Sequence, residues 1–91
     1  MTHKDPVKLA YGKGLNCASS EQNKQAVRHF SEAIRLQRDH ADAYYQRALM
    51  FYRLARYAEA YDDLVEAIRL APESPLRAEV EEKLQQLKKA A

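Results

Sequence analysis

The stretch Glu-Ala-Ile-Arg-Leu stands at residues 32–36 and again at residues 66–70, so that its two copies lie 34 residues apart. The same distance separates Tyr11 from Tyr45, and the two copies align without a gap. Five consecutive identities at one constant offset indicate an internal duplication. The sequence therefore predicts a short array of two structural repeats.

Each copy divides into two segments whose apolar residues have helical spacing. In the second copy, the first segment carries apolar residues at intervals of four, three and four: Tyr44, Ala48, Phe51 and Ala55. The second segment carries Ala60, Leu64, Ala67 and Ile68. Residues 54–58 between them are enough only for a tight turn, which predicts two antiparallel neighbouring helices. The first copy repeats this plan, with small residues such as Gly14 and Ala26 where the helices would cross.

Two proline signatures predict where helices begin. Asp5-Pro6 reads as an N-cap followed by a proline at the first helical position, and Ser74-Pro75 repeats the signature. We therefore predict a fifth helix over residues 75–90. It has one apolar stripe and is otherwise rich in Glu, Lys and Gln, as is typical of a helix that caps a repeat array.

These positions resemble the tetratricopeptide repeat, whose 34-residue signature is W-x2-L-G-x2-Y, then A-x3-F, then A and a closing P. The signature positions of the second copy read Tyr44, Arg47, Ala48, Phe51, Ala60, Leu64, Ala67 and Pro72. A polar residue, Arg47, replaces the first Leu. The first copy departs further, with Cys17 at the Tyr position and Arg38 at the Pro position.

The resemblance implies an all-α fold of tandem antiparallel helical hairpins, arranged as a right-handed α-solenoid with a fifth, capping helix. We expect a single domain over residues 1–91, with repeats at 7–40 and 41–74 and the capping helix at 75–90. In this family the first helix of each hairpin lines a concave surface that binds peptides or partner proteins. One subfamily clamps a chaperone's C-terminal carboxylate there with Lys and Asn, but Tyr11 and Leu15 occupy those positions.

The predicted partner-binding residues lie on the first helices: Tyr11, Leu15, Tyr45, Gln46, Leu49, Tyr52 and Arg53. The apolar ones in the second copy form a stripe about 100° around the helix from the core stripe. Two interpretations stay open, since such a stripe either anchors a partner in a groove or buries against neighbouring helices. The alternative function is a self-associating structural module that forms a weak homodimer through exposed apolar helix surface, because two repeats are fewer than stable arrays usually need.

No combination of residues predicts catalysis, so we expect no enzyme. Cys17 and His29 lack an orienting group and an oxyanion donor, and we interpret Cys17 as a buried structural thiol. His3, His29 and His40 lack metal-ligand spacing and are expected at the surface. No metal or cofactor is therefore predicted.

Charge and hydropathy exclude other kinds of partner. Fifteen basic and thirteen acidic residues are interleaved and give a net charge of +2, without the basic patch that a nucleic-acid-binding protein shows. The longest apolar run, residues 48–52, is too short to cross a membrane. The lone cysteine suits a reducing compartment, so we expect a soluble cytoplasmic protein with a protein or peptide partner.

Overall fold

The protein's structure, a computed structural model, describes residues 5–90, and these residues form five α-helices without a strand. The helices are α1 (Pro6–Ser19), α2 (Asn23–Leu36), α3 (Ala41–Arg53), α4 (Tyr57–Leu70) and α5 (Arg77–Ala90). Helices α1 and α2 form one hairpin, α3 and α4 form a second, and α3 packs on α2 as α5 packs on α4. The all-α fold of tandem antiparallel hairpins is thus confirmed.

The helix ends follow from local hydrogen bonds. The Asp5 carboxylate accepts from the backbone N–H of Val7 at 2.9 Å, which makes Asp5 the N-cap of α1 as its sequence predicts. The fifth helix begins at Arg77, two residues later than predicted from Pro75. The Ser74 hydroxyl instead accepts from the N–H of Leu76 at 3.1 Å and holds this segment in a turn.

The first helix of each hairpin ends in the same type of C-terminal cap. Glu21 and Ala55, which are 34 residues apart, have φ of 58° and 60°, in the left-handed region. In the second turn the N–H of Arg56 donates to the carbonyl of Phe51 at 2.8 Å, and the N–H of Ala55 donates to that of Tyr52 at 3.0 Å. This Schellman motif ends α3 at Arg53. The placement of Ala55 on the core stripe of that helix was therefore wrong, and Ala55 is exposed.

Small residues allow the helices to approach one another closely. A Cβ added to Gly14 would lie 2.5 Å from the buried Phe30 ring, so a larger residue where α1 crosses α2 would have to displace that ring. Ala33 and Ala43 are fully buried at the crossing of α2 and α3. A larger core cluster joins α3, α4 and α5 and consists of Tyr45, Ala48, Phe51, Ala60, Leu64, Ala67, Val80 and Leu87.

The predicted division of the chain into domain and repeats stays a prediction. Residues 1–4 and 91 of the expected domain, among them His3, lie outside the described residues. Within the described range, the hairpin α1–α2 falls inside residues 5–40 and the hairpin α3–α4 inside 41–74.

Candidate partner-binding groove

Tyr11 connects the first helices of the two repeats. Its ring lies 5.6 Å from that of Phe30 and 4.9 Å from that of His40, measured between centroids. Burial, followed by the charge of Asp42, raises the pKa of Tyr11, and the neighbouring Gln46 side chain opposes that increase. The structure therefore brings together two of the predicted binding residues, Tyr11 and Gln46, and both are half-buried.

Tyr45 lies deeper than the other predicted binding residues. Only 7% of the residue is exposed, and its hydroxyl donates to the Glu79 carboxylate of α5 at 3.2 Å. Burial, then the negative charges of Glu79 and Glu82, raise the pKa of Tyr45, so the hydroxyl stays protonated as the donor. Tyr45 is thus part of the core between α3 and α5, and its contact with a partner stays a prediction.

The remaining predicted residues leave apolar surface open on α1 and α3. Leu15 is 37% exposed and Tyr52 is 39% exposed, whereas Leu49 is half-buried between two core clusters. The Tyr52 ring meets the Tyr57 ring edge-on at 5.4 Å. Together with Tyr11, these side chains give both first helices an apolar surface beside the core.

Arg53 ties the end of α3 to the first repeat. One of its Nη atoms donates to the backbone carbonyl of Ala18 at 3.2 Å and to Oδ1 of Asn23 at 3.4 Å. The residue is exposed, so the rest of its guanidinium faces solvent. Arg53 can therefore hold the two repeats in register and still offer N–H groups to a ligand.

An ion pair that sequence reasoning missed joins the two helices of the second repeat. Arg47 Nε lies 2.7 Å from Oδ2 of Asp63, and Nη2 lies 2.8 Å from Oδ1, a bidentate geometry. The other Nη donates to Ser31 of α2 at 3.1 Å. Asp63 is only 5% exposed; burial raises its carboxyl pKa, and Arg47 opposes the increase. The sequence does contain one signal of an unusual contact here, because the polar Arg47 stands at a signature position that the family fills with Leu.

Two further interpretations of single residues need correction. His40 is not simply a surface residue, because its Nδ1 accepts from the N–H of Ala43 at 3.1 Å and caps the start of α3. Cys17 is half-buried and not fully buried, although it packs against the cluster of Ala26, Phe30 and Met50. Among residues 5–90, no three His, Cys, Asp or Glu side chains lie close enough to hold a metal ion.

Comparisons with known proteins identify the second repeat. Residues 41–74 match the family model described as tetratricopeptide repeat. Those residues form a tetratricopeptide repeat. They are the same residues as the second repeat predicted from the sequence, and the resemblance is confirmed. Residues 14–45 match a second family model, that of anaphase-promoting complex subunit 5.

The chain is similar to one much larger protein, the UDP-N-acetylglucosamine–peptide N-acetylglucosaminyltransferase of Giardia intestinalis. The two are 33% identical over 64 residues, which are 70% of this chain and 4% of that enzyme. Because the chain spans such a small fraction of the relative, we do not assign its transferase activity to this chain. Tetratricopeptide repeats are generally protein–protein interaction modules and are typically non-catalytic. None of the helices within residues 5–90 combines the length and apolarity needed to span a bilayer.

Proposed function

We propose that this chain is a binding module that holds a peptide segment of another protein in the groove along α1 and α3. The observation that carries the proposal is the open apolar surface on the first helix of each repeat. Leu15 on α1 and Tyr52 on α3 are each more than one-third exposed, although both helices bury another face in the core. Apolar side chains so placed can anchor those of an extended or helical peptide.

The proposed site comprises the seven residues named from the sequence: Tyr11, Leu15, Tyr45, Gln46, Leu49, Tyr52 and Arg53. The half-buried Tyr11 and Leu49 and the exposed Leu15 and Tyr52 supply contact area with little side-chain entropy lost on binding. Tyr45, of which only 7% is exposed, adds little surface. Gln46 and Arg53 supply polar groups for a ligand's backbone or carboxylates. The proposal makes the chain a non-catalytic adaptor of the cytoplasm, and its interleaved charges favour a protein partner over a nucleic acid.

A random peptide library displayed on phage tests the proposal. We expect the parent chain to select peptides with apolar anchors, and the double variant Leu15→Ser, Tyr52→Ser to lose at least about tenfold in affinity for them. Both positions are more than one-third exposed, so the variant should retain its helices, which circular dichroism checks. Tyr45→Ala is unsuitable, since removal of a buried ring would destabilise the fold itself.

The matched control is Leu36→Ser, which removes an apolar side chain that is 39% exposed at the end of α2. This variant should bind the selected peptides as tightly as the parent. If the double variant and the control bind equally well, recognition uses another surface and the groove proposal fails.

A further inference from the structure

His40 carries an unused hydrogen-bond donor where α3 begins. Its Nδ1 accepts from the backbone N–H of Ala43 at 3.1 Å, so the neutral imidazole carries its proton on Nε2. Within residues 5–90, Nε2 itself makes no hydrogen bond. No buried side-chain nitrogen or oxygen of these residues lacks a partner, and Nε2 is therefore reachable by solvent. The helix cap thus fixes an accessible donor.

The capping role alone does not require a histidine. The residue 34 positions later, Ser74, accepts from the N–H of Leu76 at 3.1 Å with its hydroxyl. Asn, Asp and Ser are the side chains that favour N-caps most strongly, and none of them has a second ring nitrogen. Nε2 of His40 is thus a polar atom that the fold does not use.

The imidazole lies against a residue of the groove. The ring centroids of His40 and Tyr11 are 4.9 Å apart, and the ring planes are inclined by 33°. The Gln46 side chain adjoins the Tyr11 hydroxyl, and all three residues are half-buried. We call His40, Tyr11 and Gln46 the polar end of the groove. Leu15 and Leu49 follow on α1 and α3 about 5 Å further along the helices, so apolar surface adjoins the polar end.

Charge decides which chemical group the polar end can accept. Asp42 is exposed on the first turn of α3, and its negative charge contributes to the raised pKa of Tyr11. The same charge would repel a carboxylate that approached His40. A lysine or arginine side chain has no atom that could accept from Nε2–H. A neutral carbonyl oxygen meets both conditions, and every residue of a peptide supplies one.

We propose that His40 is an eighth contact residue of the groove and donates its Nε2–H to a backbone carbonyl of the bound peptide. This inference rests on the proposed function. The cap on Nδ1 and the contact with Tyr11 already hold the imidazole in place, so little side-chain freedom is lost when the donor binds. The apolar side chains of the peptide contact Leu15 and Tyr52, and its backbone is held at the polar end.

NMR of the imidazole nitrogens tests the donor directly. In the free parent, the nitrogen shifts of His40 should report a proton on Nε2, and this proton should exchange rapidly with water. Saturation with a peptide selected from the phage library should protect the proton from exchange. The opposite tautomer in the free protein, or an Nε2 proton that stays unprotected at saturation, overturns the inference.

The variant His40→Asn tests the contribution to affinity. Oδ1 of asparagine is as many bonds from the backbone as Nδ1 of histidine, so the cap is kept while Nε2 is removed, and the Ala43 amide shift checks this. We expect the variant to bind the selected peptide about threefold to tenfold more weakly than the parent. The matched control is His29→Asn, which removes a half-buried imidazole from a separate cleft beside Leu9 and Leu36. Equal affinity of His40→Asn and this control would refute the contact.

The outcomes separate this inference from the proposed function. Peptide-induced amide shifts around Leu15 and Tyr52, with an unprotected Nε2 proton, would support the groove and exclude the hydrogen bond to His40. A parent that binds no library peptide along α1 and α3 refutes both. Replacing every Asn and Gln of the selected peptide by alanine should leave the Nε2 proton protected. Loss of that protection would assign the carbonyl to a side chain and contradict the backbone contact.

Discussion

Replacing Arg47 by leucine removes the partner of the most buried charge among the described residues. Asp63 keeps only 5% of its surface exposed, and Arg47 makes two hydrogen bonds to its carboxylate. Breaking a buried ion pair in this way costs about 3 to 5 kcal/mol. The new leucine would regain about 1 kcal/mol by packing near the Tyr44 and Phe51 rings, over which the guanidinium now lies. We therefore expect Arg47→Leu to lower the free energy of unfolding by about 2 to 4 kcal/mol at neutral pH.

That loss is large for a chain of 91 residues, whose total stability is on the order of 5 to 14 kcal/mol. Urea unfolding followed by circular dichroism should show the midpoint falling by about 2 M, given a slope near 1.5 kcal/mol per M. The loss should also depend on pH. Without Arg47 nothing opposes burial, so the pKa of Asp63 rises further above its unfolded value. When the pKa of the Asp63 carboxyl is higher in the folded state than in the unfolded state, the protonated carboxyl stabilises the fold at a pH below the pKa of the unfolded state. This contribution is lost as the pH rises through the pKa of the folded state.

The difference between parent and Arg47→Leu should therefore be smaller at mildly acidic pH than at neutral pH. In the double variant Arg47→Leu, Asp63→Leu, most of the stability should return, because two apolar side chains replace the pair. Glu32→Ala, which breaks an exposed pair with Arg35, should leave the midpoint unchanged. A loss below about 1 kcal/mol for Arg47→Leu, or one equal at all pH values, would refute this reasoning.

Two further predictions concern the turn and the core. Ala55→Gly should raise the free energy of unfolding by about 1 kcal/mol, because glycine adopts the positive φ without strain, whereas Ala58→Gly within α4 should lower it by a similar amount; urea midpoints of both variants decide the matter. Stability should fall as pH rises from about 10, since the pKa of Tyr45 is raised and its contribution is lost as pH passes through the folded value. In Tyr45→Phe the free energy of unfolding, measured by urea unfolding at alkaline pH, should fall less steeply with pH than in the parent. An equally steep fall would mean that another group controls the pH dependence.

The period of the sequence was sufficient to predict the fold. A 34-residue repeat with helical spacing inside each copy leaves little freedom, because each hairpin can bury its apolar stripe only against the next. The residues that match the tetratricopeptide model, 41–74, are those predicted for the second repeat. The close approach at Gly14 was predictable too, since a small residue at a helix crossing has few other uses in this family.

Features that depend on contact between distant residues could not be derived from the period. Arg47 and Asp63 are 16 positions apart on different helices. The polar Arg47 at a Leu position signals an unusual contact, but the sequence does not identify Asp63 as its partner. Tyr45 is buried because α5 crosses it and the Glu79 carboxylate accepts a hydrogen bond from its hydroxyl. The repeat does not determine how much of α3 a capping helix covers. The left-handed turn at Ala55 was missed because alanine carries no turn signal.

The central claim is that the groove along α1 and α3 holds a peptide, and amide chemical-shift mapping tests it most directly. A peptide chosen from the library would be titrated into isotope-labelled parent protein at a concentration where the chain is monomeric. The account predicts that the largest shifts cluster at the amides around Leu15, Leu49 and Tyr52, and that they disappear in the Leu15→Ser, Tyr52→Ser variant. Largest shifts on α2, α4 or α5, with α1 and α3 unchanged, would contradict it.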